Sequence, residues 1–289
     1  MPEFPPARES FSPFTSSFFP QALQLQLHIM NYTRISLIAL LICSATALPL
    51  FADEAEVKKT PDISITLGGA LNDGNTDNES GTFGFEIKQK IDTIEYAVNA
   101  KGIITRTTSE ETITDADGTK HTYDKKETTA KNGEIKGDIS RDVNEKLAIY
   151  LNATAFSDEM SDIDYRFVTG PGLAVKIVDT ETIKFAFELG LAGIWEKQER
   201  VSDYYTAIRY KEKFEYLFAK GAKIWQSCEY LPSTEDSDKY LINGEIGIES
   251  PITENLSLRL TATDRYNSMP SDDSEKNDLS LKAGIRIKL

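Results

Sequence analysis

From residue 62 to the end of the chain, apolar and polar residues alternate one for one. That is the period of a strand, whose successive side chains point to opposite faces. In residues 183–196, Ile183, Phe185, Phe187, Leu189, Leu191 and Trp195 share one parity, and Lys184, Ala186, Glu188, Gly190, Ala192 and Glu196 share the other. Near the end, Leu279, Leu281, Ala283, Ile285, Ile287 and Leu289 alternate with Ser280, Lys282, Gly284, Arg286 and Lys288. The same alternation runs through residues 63–67, 83–87, 147–151, 242–248 and 256–260. No stretch after residue 52 carries a helical stripe. The strands predicted in this way are long, at about ten residues or more, where globular strands average five or six. A tilted strand that crosses a bilayer needs about 9–11.

The connections alternate in kind. Tight, turn-forming segments fall near residues 92–93, 142–145, 179–182, 218–221 and 253–255. Longer polar loops are expected over 72–78, 107–126, 157–164, 197–204, 233–238 and 267–276. Short turns on one rim and long loops on the other predict an all-β, up-and-down antiparallel transmembrane β-barrel of about twelve strands. Three segments fit this pattern poorly. Residues 127–141 are polar on both parities, and 205–217 and 222–231 mix their faces. Pro171 removes a ladder donor, so a bulge is expected there. The rival reading is a periplasmic soluble β-barrel or sandwich that binds an apolar ligand, with the apolar parity turned inward. Alternation alone does not distinguish the two.

The first residues follow a different logic. Residues 1–29 carry five of the eleven prolines and no period, and are expected to be a mis-assigned N-terminal extension. Residues 30–52 have a positive Arg34, an apolar run over 35–43 and a small-x-small site at Ala45-Thr46-Ala47, the layout of a secretory signal peptide. Residues 53–289 are then the barrel. Cys43 leaves with the signal, so Cys228 is a single thiol.

Charge narrows the chemistry. With Lys+Arg 32 against Asp+Glu 46, the net charge is -14, a poor match to nucleic acid. Placed inside the barrel, the polar parity carries Glu86, Glu95, Glu188, Glu196, Glu245 and Glu249. It also carries Lys88, Lys101, Arg166, Lys176, Lys184, Arg259, Arg265, Lys282, Arg286 and Lys288. Glu188, Glu245, Glu249, Arg259, Lys282 and Arg286 are the candidate lumen charge network. They either pair across neighbouring strands and fill a scaffold, or line a narrow path that favours anions. The acidic surplus falls in the loops, where solvated surface is the plain reading. No catalytic, cofactor-binding or metal-binding set is expected. His121 stands alone after residue 52, no Gly-x-Ser-x-Gly elbow occurs, and Asp115-Ala116-Asp117-Gly118 lacks the remaining ligands of a calcium loop.

Three motifs carry a family resemblance: Gly74-Asn75-Thr76-Asp77, Gly170-Pro171-Gly172-Leu173, and Tyr266-Asn267-Ser268-Met269-Pro270 followed by Lys276-Asn277-Asp278-Leu279. In this order they resemble the salt-induced outer-membrane protein family, a domain of membrane barrels with no established activity. The resemblance covers about residues 60–289. It implies the outer membrane of Gram-negative bacteria, and as partners outer-membrane lipid, lipopolysaccharide and the barrel assembly machinery. Such barrels usually end in Phe; this chain ends Ile287-Lys288-Leu289. The expected role is envelope integrity or restricted passage of small solutes, without catalysis.

Overall fold

The structure is a computed structural model that describes residues 60–72, 76–115, 117–218, 221–271 and 274–289. The expected N-terminal extension, the expected signal peptide and Gly74-Asn75 lie outside the described residues. The strands are β1 (Asp62–Asn72), β2 (Thr76–Ile91), β3 (Ile94–Thr114), β4 (Lys120–Asp142), β5 (Leu147–Asp158), β6 (Ile163–Asp179), β7 (Ile183–Gln198), β8 (Val201–Leu217), β9 (Lys223–Pro232), β10 (Tyr240–Pro251), β11 (Leu256–Asn267) and β12 (Asn277–Lys288). Each pairs antiparallel with its neighbours in sequence, and β1 pairs with β12 to close the ring. At that seam only residues 64–67 pair with residues 285–288.

The direction of the side chains decides between membrane and water. Leu189 is 47% exposed and Ile285 38%, while Glu188 is 6% exposed. Leu67, Phe83, Ile149, Leu173, Leu258 and Leu281 are likewise exposed on the outer surface. A soluble β protein would have the reverse arrangement, so the soluble alternative is excluded. An apolar outside over a charged inside is the distribution that hydrocarbon requires. Aromatic rings mark the upper edge of this band. Tyr210, Tyr230, Tyr240 and Tyr266 touch in succession at centroid distances of 6.2, 5.7 and 5.7 Å. On the short-turn side, Tyr216 meets Phe218 at 5.8 Å.

Two expected loops are strands instead. Residues 107–126 form a ribbon in which β3 and β4 pair up to Thr114 and Lys120, well past the last rungs to β2 and β5. Its residues are largely exposed, so no apolar alternation announces it. Cross-strand polar pairs hold it in water: Thr107 with Thr129 at 2.9 Å, Thr112 with Thr122 at 3.0 Å, and the Tyr123 hydroxyl donating to Glu111 at 3.0 Å. At its tip Gly118 takes a left-handed φ of 87°, and the Thr119 N–H donates to Asp117 Oδ1 at 2.9 Å. That bond holds the Asp117 carboxyl below its ordinary range. The tip is a turn, and His121 sits 3.0 Å from Asp115 within it. Residues 197–204 also stay in the ladder, because Glu199 and Arg200, with φ 49° and 69°, make a two-residue hairpin turn.

The expected bulge at Pro171 is absent. β6 keeps one register against β7 from Thr169 to Gly172, and only the rungs of Gly170 and Pro171 are missing. The irregularities lie elsewhere on β6, between Ile163 and Tyr165 and between Lys176 and Val178. Losing a donor removes rungs without requiring an extra residue, and the ladder to β5 continues through Pro171.

Candidate functional site: the filled lumen

The lumen is built by the strands that alternate least clearly. β8 points Arg209 inward between carboxylates from its two neighbours. Arg209 Nη1 donates to Glu188 of β7 at 2.9 Å, and Nε donates to Glu229 of β9 at 2.6 Å. Its side chain is 1% exposed. Lys213 reaches Glu188 at 2.5 Å and Lys211 approaches Glu229 at 3.9 Å. The Asn243 amide donates to the other Glu229 oxygen at 3.2 Å. Tyr150 lies against the guanidinium, 5.1 Å from ring centroid to Cζ. The ring has room because the backbone below it is glycine. A Cβ on Gly172 would come 2.3 Å from the Tyr150 ring, and one on Gly190 would come 2.6 Å from its hydroxyl. The Gly170-Pro171-Gly172 motif is therefore part of the floor under this tyrosine.

A second cluster spans the barrel. Lys101 of β3 binds Glu134 of β4 at 3.2 Å and Glu245 of β10 at 3.1 Å. Arg265 of β11 reaches Glu134 at 3.1 Å. Lys101 and Glu134 are partners on adjacent strands, whereas Lys101–Glu245 and Arg265–Glu134 join strands that are not neighbours in the ladder and act as struts across the lumen. Glu245 also accepts the Trp225 indole N–H at 2.9 Å. Trp225 covers Gly247, whose Cβ position lies 2.0 Å from the ring, and Arg259 and Lys223 stand over the ring at 4.5 and 5.6 Å.

A third cluster sits nearer the short-turn rim. Arg286 binds Glu249 at 3.1 Å and Arg259 approaches Glu249 at 3.6 Å. Glu86 lies 3.7 Å from Arg259 and 3.8 Å from Arg286. Arg286 Nε also donates to Ser64 at 3.0 Å. Toward the long-loop rim the lumen turns apolar. Val168, Ala192, Ile194, Tyr205, Ala207, Leu231 and Leu241 form one buried cluster above Arg209. Arg166 and Glu196, 2.7 Å apart, and Lys239 with Glu196 and Asp203, at 3.0 and 2.6 Å, form polar bridges near this rim.

The six residues of the sequence-derived network do not form one group. Glu249, Arg259 and Arg286 stand together. Glu188 belongs to the Arg209 cluster, and Glu245 turns to Lys101 and Trp225 rather than to Arg259. Lys282 has no ion pair within 4.0 Å among the described residues; its nearest charges include Lys101, Arg265, Glu134 and Glu245. Sequence reasoning missed Arg209, Glu229, Glu134, Lys136, Tyr150 and Trp225. Five of these lie in the three segments that read poorly. A cue was present: Ile194 and Val168 are apolar on the inward parity of their strands, as a lumen closed by packing requires.

What space remains is small. A central cavity of about 90 Å³ has room for several waters. Lys101, Lys136, Arg166, Lys211 and Arg265 on its wall outnumber Glu134, Glu229 and Glu245. Among the described residues, no group of His, Cys and carboxylates has the geometry to hold a metal ion.

Several solved structures are similar to this chain at low sequence identity. The KdgM porin is 9% identical, with 80% of this chain and 99% of that one covered and a TM-score of 0.42. The NanC porin is 8% identical, with coverage of 78% and 100% and a TM-score of 0.47. An anion-selective porin from Comamonas acidovorans is 8% identical, with coverage of 80% and 99% and a TM-score of 0.35. No curated protein matches the chain by sequence. A family model does match, over residues 65–288, almost the whole barrel. The chain, a closed barrel with an apolar outer face, belongs to DUF481, the family described as a protein of unknown function.

Proposed function

We propose that this protein is a closed, non-catalytic barrel whose filled lumen serves the integrity of the outer membrane. The observation that carries this reading is Arg209, 1% exposed and clamped between Glu188 and Glu229 under an apolar cluster. A guanidinium with two carboxylates is held far more firmly than a single exposed pair, because breaking either contact strands a buried charge. The cross-lumen pairs of Lys101 and Arg265 brace the wall below it. Lipopolysaccharide at the long-loop rim and the barrel assembly machinery are its proposed partners.

The test is conductance in planar bilayers. The wild-type protein is expected to be silent across salts and voltages at neutral pH. Regular unitary steps from pure protein would overturn the closed reading. A second reading, restricted passage of small anions, draws on the cationic surplus around the cavity. It predicts small anion-selective steps in the same experiment.

A further inference from the structure

The lipid-facing surface carries a polar pair between the tyrosine belt and the short-turn rim. Arg209, Lys211 and Lys213 point into the lumen, so β8 turns Tyr210, Glu212, Phe214 and Tyr216 outward. β9 turns Gln226, Cys228 and Tyr230 outward by the same parity. The ladder sets Glu212 between Phe187 and Cys228, and Gln226 beside Phe214. The Tyr210–Tyr230 rung of the aromatic belt lies one outward-facing rung above Glu212, and Tyr216 with Ile224 lies two below. Other outward charges, such as Asp264, Arg141 and Lys197, stand within three residues of a strand end. Glu212 is five residues from the nearer end of its strand.

A carboxylate in this position is costly, and hydrocarbon offers no water to complete its hydrogen bonds. Gln226 Nε2 donates to Glu212 Oε1 at 2.6 Å, which satisfies one oxygen and one of the two amide hydrogens. The second amide hydrogen and the other carboxylate oxygen have complementary needs. Within one chain they do not meet. Under a twofold axis normal to the membrane they can: each Gln226 would give its remaining hydrogen to the partner subunit's Glu212. Such a contact is self-complementary, as a twofold interface must be. Phe187, Phe214, Tyr210 and Tyr230 surround the pair with flat apolar surface. A lipid tail supplies no donor.

We propose that the outer face of β8 and β9 is the dimer interface of this protein, with a second copy of the chain seated on the Glu212–Gln226 pair. The inference is independent of whether the lumen conducts.

Cys228 provides the probe, because it faces the same surface on the rung of Glu212. In outer membranes that contain the full chain, oxidation with copper phenanthroline is expected to give a disulfide-linked species of twice the monomer mass. Sedimentation equilibrium of purified protein in detergent is expected to give the dimer mass without oxidant. The double variant Glu212→Leu, Gln226→Leu is expected to raise the dissociation constant about tenfold or more, with a heat-modifiable gel shift showing that the barrel still folds. A monomeric wild type in sedimentation would overturn the proposal. So would cross-linking unchanged in the folded double variant, or Cys228 linked to a protein of different mass.

Discussion

Arg209 and Glu229 face each other across adjacent strands, with Nε 2.6 Å from a carboxylate oxygen, in the most enclosed part of the barrel. Each depends on the other for the charge it keeps away from water. Replacing Arg209 with Met leaves Glu188 and Glu229 without their shared cation. The expected loss is about 3–5 kcal/mol of stability. Urea unfolding in detergent, followed by the folded gel band, measures it.

The same substitution bears on permeability. Once the clamp is gone, Lys101, Lys136, Lys211 and Arg265 still line the cavity. Any conductance that appears in the Arg209→Ala variant is expected to prefer chloride over potassium. Reversal potentials in a salt gradient give the sign, and a cation preference would contradict the charge balance described for the wall.

Gly247 is occupied from above by Trp225. An Ala there would put its Cβ 2.0 Å from the indole, which must then leave Glu245 and Arg259. Gly247→Ala is expected to cost about 1–3 kcal/mol by overpacking. Tryptophan emission should shift as well, because only Trp195 and Trp225 contribute to it. Subtracting the spectrum of a Trp225→Phe variant isolates the signal.

The outward direction of Leu189 has its own test. A Lys at this position would face hydrocarbon, at a cost of about 2–4 kcal/mol near mid-depth. Leu189→Lys is therefore expected to lower the urea midpoint clearly.

The ribbon tip offers a site for insertion. A short epitope placed after Gly118 should leave the barrel folded, since the tip lies beyond every rung to β2 and β5. Antibody binding to intact cells is the expected result. Labelling only after the cells are broken would reverse the assignment of the two rims.

The order of strands was readable because β1, β7, β11 and β12 put nearly every apolar residue on one parity. That parity also fixed the direction of Glu188, Arg259 and Arg286. The centre of the lumen was harder to read. β4 fills its lipid face with Gly133, Ile135, Gly137 and Ile139, so half of that face carries no side chain to mark it. β8 and β9 place Glu212 and Gln226 outward, and this breaks the very rule that identifies a membrane strand. The cross-lumen struts Lys101–Glu245 and Arg265–Glu134 join residues 144 and 131 positions apart, a proximity that only the closed ring creates. The ribbon of β3 and β4 escaped detection because in water its pairing rests on threonine and charge, not on a greasy face.

The seam between β1 and β12 couples the chain's two ends. Across it, Ser64 meets Arg286 from 222 positions away in the sequence. Until the seam forms, the sheet has two raw borders, each able to accept a foreign strand. Closure is the slowest kind of pairing, because its partners are the most distant in sequence. Half a barrel is therefore a hazard and not a smaller version of the whole: only the first strand laid against the last leaves no border open.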